Sequence, residues 1–352
     1  MICNKIESSR KGKTVLIRVD ASKDIGFGHL IRCFCLGEEI LRKKHSVLFV
    51  TRRYDGLSER LLKRKGFNYE TLNNNLTKKQ EIERINSIAV KHKTSVMVFD
   101  TYSLTNNYIL KIKKQGIPIC LIDDRNYLVR PDVEAITNGN GFAKQLEYVL
   151  QKKTKLYLGE KFFLLDKCFI ASKKEVERGR KKAAGVCMSN MDYDSLQRVV
   201  GFLNSFIGEE IDVVFTGAQK DYMTQMKKIY RGHQNISIYH DLDTEDIARL
   251  MKGCCLFFLS GGTMMYQAIA AGCIVFAMPV HKHQRRNVNA LVRKKVVRSL
   301  EKDQKLLLAQ KKKSIEKIIK DPGQRKRILE TTAGFVDGKG PQRVADIVLS
   351  LC

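Results

Sequence analysis

A chain of 352 residues is too long for one hydrophobic core and predicts two domains. Hydrophobic residues make up 43% and charged residues 29%, the balance of a folded globular protein, and no run approaches the ~20 apolar residues of a membrane-spanning helix. The formal net charge of +27 comes from scattered basic runs such as Arg42-Lys43-Lys44 and Lys311 to Lys313, with no Trp and no RNA-binding signature, which speaks against nucleic acid and fits a phosphate-bearing substrate or contact with an anionic membrane surface.

Met1 to Arg10 has no apolar core, so no secretory signal is expected and the expected location is cytoplasmic. Thr14 to Val19 reads as a buried strand, and His29 to Arg42 carries apolar residues at helical spacing. Ser46 to Thr51 is a second strand and Ser58 to Lys65 a second helix; Ser95 to Asp100 and Ile117 to Asp123 are further strands rich in Val, Ile and Phe. Continuous apolar strands separated by helices predict a parallel sheet covered on both faces. Lys152 to Lys182 is lysine-rich, with one short apolar stretch, so the seam is placed near residue 150, giving domains 1–150 and 151–352. Beyond it the theme repeats, with strands at Ala184 to Met188, Ile211 to Thr216, Ile236 to Tyr239, Leu256 to Leu259 and Ile274 to Met278. Asp192 to Phe206, Thr244 to Lys252 and Thr263 to Ala271 read as helices between them. The expected fold class is α/β, two Rossmann-like doubly wound domains facing a cleft, with functional residues directly after strands.

The ten cysteines include adjacent and alternate pairs but no Cys-x-x-Cys, and most sit in apolar runs. They read as reduced core residues, not as disulfides or metal ligands. Asp123 and Asp124 are neighbours in sequence and point to opposite faces if the strand continues, which makes a strand-end turn a better reading than a metal pair. His281 and His283 have no evident third ligand and read as part of a loop near phosphate or sugar.

Two clusters can carry chemistry. The first runs from Arg18 and Asp20 through Ile25-Gly26-Phe27-Gly28 to His29, Arg32 and Cys33, leaving the first strand and entering a helix. Glycines there let the backbone approach a ligand, the start of a helix favours an anion, and an imidazole is suited to general acid–base work. A tight turn with His29 as a simple cap is the plain alternative. The second cluster is Ser260-Gly261-Gly262-Thr263, followed by Gln267, Gly272, Pro279, Gln284 and Asn289. Two glycines turning a strand into a helix make a phosphate cradle or, again, a structural turn.

The first cluster, Arg-x-Asp-Ala-Ser-x-x-Ile-Gly-x-Gly-His-x-x-Arg-Cys, resembles the N-terminal signature of the UDP-sugar hydrolases of pseudaminic acid biosynthesis, a family with relatives among spore-coat polysaccharide proteins. Val98-Phe99-Asp100-Thr101-Tyr102, Leu121 to Asp124, Thr137-Asn138-Gly139-Asn140 and Leu158-Gly159 are similar to later family segments, so the resemblance covers nearly the whole chain. The second cluster resembles the nucleotide-binding half of both that family and the glycosyltransferases of the GT-B fold. The resemblance implies hydrolysis of a UDP-activated amino-deoxy sugar at the anomeric carbon, without metal or cofactor. It makes His29 the base, with Asp20 orienting it. Gly26, Gly28, Arg32, Tyr102 and Asn138 are expected on the substrate side. Gly261, Gly262, Thr263, Gln267, Gln284 and Asn289 are expected around the nucleotide. Two departures stand out: Gln267 replaces the carboxylate that holds the ribose, and Ser189-Asn190-Met191-Asp192 replaces a Gly-Gly-Ser-Asp turn. The alternatives are a GT-B glycosyltransferase using a nucleotide-sugar donor, which the basic charge suits through a membrane-bound acceptor, and a non-catalytic nucleotide-sugar-binding relative.

Overall fold

The structure, a computed structural model, describes residues 12–22, 25–172, 175, 182–189, 191–207, 210–215, 220–240, 242–302 and 305–352. Met1 to Arg10 and Thr216 lie outside these described residues. Contacts divide the chain into two compact units. One holds the residues up to Asn138 with Glu147–Tyr157 and Pro341–Cys352; the other holds Gly139–Leu146 and Leu158–Gly340. The chain thus changes unit several times, whereas the sequence reading placed one seam near residue 150.

The first unit alternates strand and helix: β1 (Thr14–Val19), α1 (Gly28–Arg42), β2 (Ser46–Arg52), α2 (Leu57–Arg64), β3 (Asn68–Leu72), α3 (Lys78–Lys91), β4 (Thr94–Asp100), α4 (Asn106–Lys113), β5 (Ile119–Ile122), β6 (Ala135–Asn138) and β7 (Lys155–Leu158). Its sheet has the order β3-β2-β1-β4-β5-β6-β7, with the β1–β2, β1–β4, β2–β3, β4–β5 and β5–β6 pairs parallel. Alternation along β1 and β4 separates the two faces. Leu16, Met97 and Phe99 join the core that α3 and α4 cover, while α1 packs on β1 and β2. Leu30, Phe34, Leu36 and Ile40 of α1 are buried, each worth roughly 1.5–3 kcal/mol of burial. Gly37 is what admits the Phe67 ring, since a Cβ there would lie 3.0 Å from it. α3 is started by a Thr77–Gln80 capping box.

The second unit contains β8 (Lys182–Cys187), α5 (Tyr193–Asn204), β9 (Ile211–Phe215), α6 (Lys220–Ile229), β10 (Ile236–His240), α7 (Thr244–Gly253), β11 (Cys254–Ser260), α8 (Met264–Ala270), β12 (Ile274–Met278), α9 (Lys282–Arg293) and β13 (Val297–Ser299). Its sheet is β10-β9-β8-β11-β12-β13, parallel throughout. α10 (Leu308–Lys320) and α11 (Pro322–Thr332) follow, and α12 (Gly340–Ser350) runs back to the first unit. There Val344, Ala345 and Val348 are buried, and Lys13 Nζ donates to the Leu349 carbonyl at 2.8 Å.

Both sheets are doubly wound, and strand order reverses between β1 and β4 in one and between β8 and β11 in the other. Ligands of such sheets bind beyond the carboxyl ends of the strands at these reversal points. The loops there are the ones after Val19 and Asp100 and the ones after Cys187 and Ser260. Among the described residues the nine cysteines form no disulfide, and no helix is long and apolar enough to cross a membrane.

Candidate active site

In the first unit the loop after β1 closes on itself before α1. The Gly26 N–H donates to the Ser22 carbonyl at 2.8 Å and the Ile25 N–H to Ser22 Oγ at 3.1 Å. Gly26 has φ +85°, which disfavours any side chain there. Lys23 and Asp24 lie outside the described residues. Gly28 opens α1 with open space where a Cβ would stand, and His29 is its second residue.

His29 Nδ1 lies 2.7 Å from Asp100 Oδ1. A carboxylate only accepts, so Nδ1 carries a proton toward Asp100, and Arg32 Nη2, 3.0 Å from the same nitrogen, turns its protons to the carboxylate; in the neutral ring this tautomer puts the lone pair on Nε2. Arg32, one turn along α1, grips the same carboxylate with two bonds, Nε to Oδ2 at 2.6 Å and Nη2 to Oδ1 at 2.5 Å. Its Nη1 donates to Asp124 Oδ2 at 2.6 Å, and Cys33 Sγ reaches Asp100 Oδ2 at 3.4 Å. Burial pushes the Asp100 carboxyl up, but the Arg32 charge, then His29 and their hydrogen bonds outweigh it and hold Asp100 well below the usual carboxylate range. Tyr102 packs edge-on against His29, ring centroids 4.8 Å apart. Its hydroxyl is within 3.5 Å of Asp124 Oδ2, and the Arg125 guanidinium lies over its ring at 3.6 Å. Burial, then Asp124, pushes the Tyr102 hydroxyl up to about 12, so it stays protonated at neutral pH.

Asp20 does not orient His29; Asp100 does, and the pleat explains why. Leu16, Arg18 and Asp20 share one parity along β1, and Leu16 faces the core under α3 and α4. Asp20 accordingly accepts from Arg18 Nη1 at 2.6 Å, from the Arg52 N–H at 3.2 Å and from Thr101 Oγ1 at 3.3 Å. Arg18, fully buried, also donates to Glu81 Oε1, which accepts from the Tyr108 hydroxyl too. Arg52 pairs with the same Glu81. Asp100 points to the other face, the one α1 covers. Asn138 is fully buried, its amide donating to the Tyr148 hydroxyl at 3.1 Å, so it packs the core instead of lining a surface. Asp123 caps its own turn, accepting from the Arg125 and Asn126 N–H groups at 2.8 and 2.9 Å.

In the second unit β11 ends at Ser260, and Gly261-Gly262-Thr263 turns the chain into α8. A Cβ on Gly261 would stand 2.7 Å from Val288 Cγ2 and 2.8 Å from Gln284 Cβ, whereas Gly262 faces open space. Both glycine N–H groups already have acceptors: Gly261 donates to Gln284 Oε1 at 3.2 Å and Gly262 to the Ser260 carbonyl at 2.9 Å. Gln284 Oε1 also takes the Val280 and His281 N–H groups at 2.9 and 3.3 Å. Gln284 therefore staples the turn to the loop after β12, with its amide nitrogen remaining for a ligand. Thr263 is exposed and Gln267, half-buried, lies four residues on and on the same side of α8. Asn289 is exposed on α9. Asn287, buried two residues earlier, accepts from the Tyr266 hydroxyl at 2.6 Å and reaches the Gly261 carbonyl with Nδ2 at 3.4 Å. Sequence reasoning passed over Asn287. Nothing in its spacing marks it, and its burial on α9 shows only in the packing. Of the altered turn, Asn190 lies outside the described residues, as does the His283 side chain; Met191 is core, and Asp192 caps α5 by accepting from the Ser195 N–H at 2.8 Å. Among the described residues no three His, Cys, Asp or Glu side chains gather as metal ligands would.

No protein-family model matches the chain. It is 23% identical over 286 residues to the UDP-2,4-diacetamido-2,4,6-trideoxy-beta-L-altropyranose hydrolase of Campylobacter jejuni, a match covering 80% of this chain and 96% of that one. Among solved structures it is similar to a glycosyltransferase from Rickettsia africae, with a TM-score of 0.64 at 12% identity over 97% of this chain and 99% of that one. It is also similar to the UDP-GlcNAc 2-epimerase from Neisseria meningitidis bound to UDP-GlcNAc, with a TM-score of 0.64 at 10% identity over 96% of this chain and 100% of that one. These likenesses bear out the expected fold, two Rossmann-like domains of the GT-B class.

Proposed function

We infer that this chain, a relative of the altropyranose hydrolase with the GT-B fold of glycosyltransferases and epimerases, acts on a UDP-sugar. The reaction we propose is hydrolysis at the anomeric carbon. Water, held by His29 Nε2, attacks that carbon; its proton passes to Nε2, and the bond from carbon to the diphosphate oxygen breaks with its electron pair leaving on UDP. Asp100 stays ionised and stabilises the imidazolium that forms, and Arg32 keeps Asp100 in place. Tyr102, protonated, limits the space beside the imidazole and offers a donor to a sugar oxygen. In the second unit, the Thr263 hydroxyl and the Gln284 amide nitrogen are the groups offered to the diphosphate, with Gln267 toward the ribose. A positioned base supplies ~10²–10⁴-fold, and positioning and electrostatics must supply the rest.

The observation that carries this reading is the 2.7 Å contact between His29 Nδ1 and a buried carboxylate at the reversal point of the sheet. Transfer to an acceptor hydroxyl is the second reading. It keeps every role and replaces water by the acceptor. The two are separated by incubating the protein with a panel of UDP-sugars, with and without lipid acceptors, and following UDP. Release without acceptor supports hydrolysis, and release that needs an acceptor supports transfer. No release from any UDP-sugar, with or without acceptor, would leave a binding protein and defeat both.

A further inference from the structure

The first unit also carries exposed aliphatic side chains that no role above uses. Leu110, Val129 and Val149 are 53%, 61% and 47% exposed. Hydrogen bonds tie the three segments that carry them. Asn106 Nδ2 donates to the Val129 carbonyl at 2.6 Å, and the Arg130 N–H donates to the Val149 carbonyl at 2.7 Å. Asn106, Leu110 and Lys113 follow one another along a single face of α4, and Lys113 Nζ reaches Asp132 at the far end of the same loop. Leu110 is therefore bracketed by the loop that presents Val129. Arg130 has φ +48°, an unfavourable conformation for a residue with a side chain, and it turns the chain between Val129 and Pro131.

The rim of this patch is basic. Lys111, Lys114, Arg130 and Lys152 are exposed. The nearby carboxylates of Asp132 and Glu134 are paired with Lys113, and Asp132 also with Lys153, so they do not cancel the outer cations. Exposed Glu147 subtracts one charge. Exposed aliphatic side chains ringed by cations, in a chain of net charge +27, match an anionic lipid surface: the carbons enter the headgroup region and the cations meet the phosphates. We propose that this face docks reversibly on an anionic bilayer. Tyr127, two residues before Val129, donates to the Thr101 carbonyl at 3.3 Å, so the docked face adjoins the loop that carries Tyr102. The proposal is independent of the chemistry assigned to His29.

The test is co-sedimentation of the full chain with vesicles of equal parts phosphatidylglycerol and phosphatidylcholine at about 0.15 M salt. Expected is binding that disappears with pure phosphatidylcholine and weakens steeply as salt rises. The double variant Val129→Asp/Val149→Asp should bind at least about tenfold more weakly, with its melting temperature unchanged, while Leu41→Asp, at an exposed site on α1, should bind as wild type does. Val129→Ser/Val149→Ser serves if the aspartates disturb folding. The proposal is overturned if wild type ignores the anionic vesicles. It is equally overturned if the patch variants bind undiminished, which would leave scattered charge as the cause, or if they merely dissolve a dimer of the free protein, which would make the face a contact between copies.

Discussion

Replacing Asp100 by Asn removes one charge and one acceptor from the point where β4 meets α1. The carboxylate takes four contacts: His29 Nδ1 at 2.7 Å, Arg32 Nε at 2.6 Å, Arg32 Nη2 at 2.5 Å and Cys33 Sγ at 3.4 Å. An asparagine has a single acceptor oxygen. If it keeps Arg32, its NH2 group faces Nδ1, and the imidazole must move its proton to Nε2. The lone pair that the reaction needs is then gone. A wrong tautomer of this kind removes the base and should cost ~10²–10⁴-fold in turnover. Arg32 loses its bidentate partner but keeps Asp124, so the stability loss should be about 2–3 kcal/mol, below that of a fully orphaned buried charge. The pH dependence follows from the sign of the shift. The folded carboxyl lies below its unfolded value, so its stabilising contribution is present above about pH 4 and is lost as pH falls from there. Urea unfolding at about pH 6 and about pH 3 should show a smaller acid loss in Asp100→Asn than in wild type. UDP-release rates on a confirmed substrate complete the assay. Near-normal turnover with normal stability would refute the dyad.

His29→Asn keeps size and polarity but has no base, and turnover should fall by ~10²-fold or more with folding intact; an undiminished rate would make His29 a structural residue. Gly261→Ala should destabilise the second unit by about 1–3 kcal/mol, since its Cβ meets Val288 and Gln284, and thermal melts read this directly. Gly262→Asp, which enters open space, should leave stability alone and weaken UDP binding in calorimetry; unchanged affinity would place the diphosphate elsewhere. Gln267→Glu offers two oxygens to a ribose diol and should tighten UDP by about 1 kcal/mol, severalfold. Weaker or unchanged binding would mean a pocket shaped for another nucleotide.

The apolar runs made the central strands legible: Thr14–Val19 and Ile274–Met278 have the bounds read from sequence. Buried parallel strands advertise themselves by continuous Val, Ile and Phe. β3, at the sheet edge and half-buried, carries Asn68, Glu70 and Thr71 and gives no such signal. The return of α12 to the first unit was equally silent, because an amphipathic helix does not say which sheet it covers. At the site, the loop and His29 were legible from glycines and strand ends. Choosing Asp100 over Asp20 was not, because both follow apolar strands and only the pleat, with Arg18 drawing Asp20 to the face under α3 and α4, separates them. Likewise Gln284 looked like a ligand contact, while its oxygen is held by three backbone N–H groups of the chain itself.

The central claim is attack of water on the anomeric carbon with His29 as base. It is tested most directly by running the reaction in water enriched in oxygen-18 with a UDP-sugar found to be turned over, and weighing the released UDP. The account predicts unlabelled UDP, formed without any acceptor by wild type and slowed ~10²-fold or more in His29→Asn. Label in UDP would place the attack on phosphorus, and release that requires an acceptor would make the enzyme a transferase; either result contradicts the account.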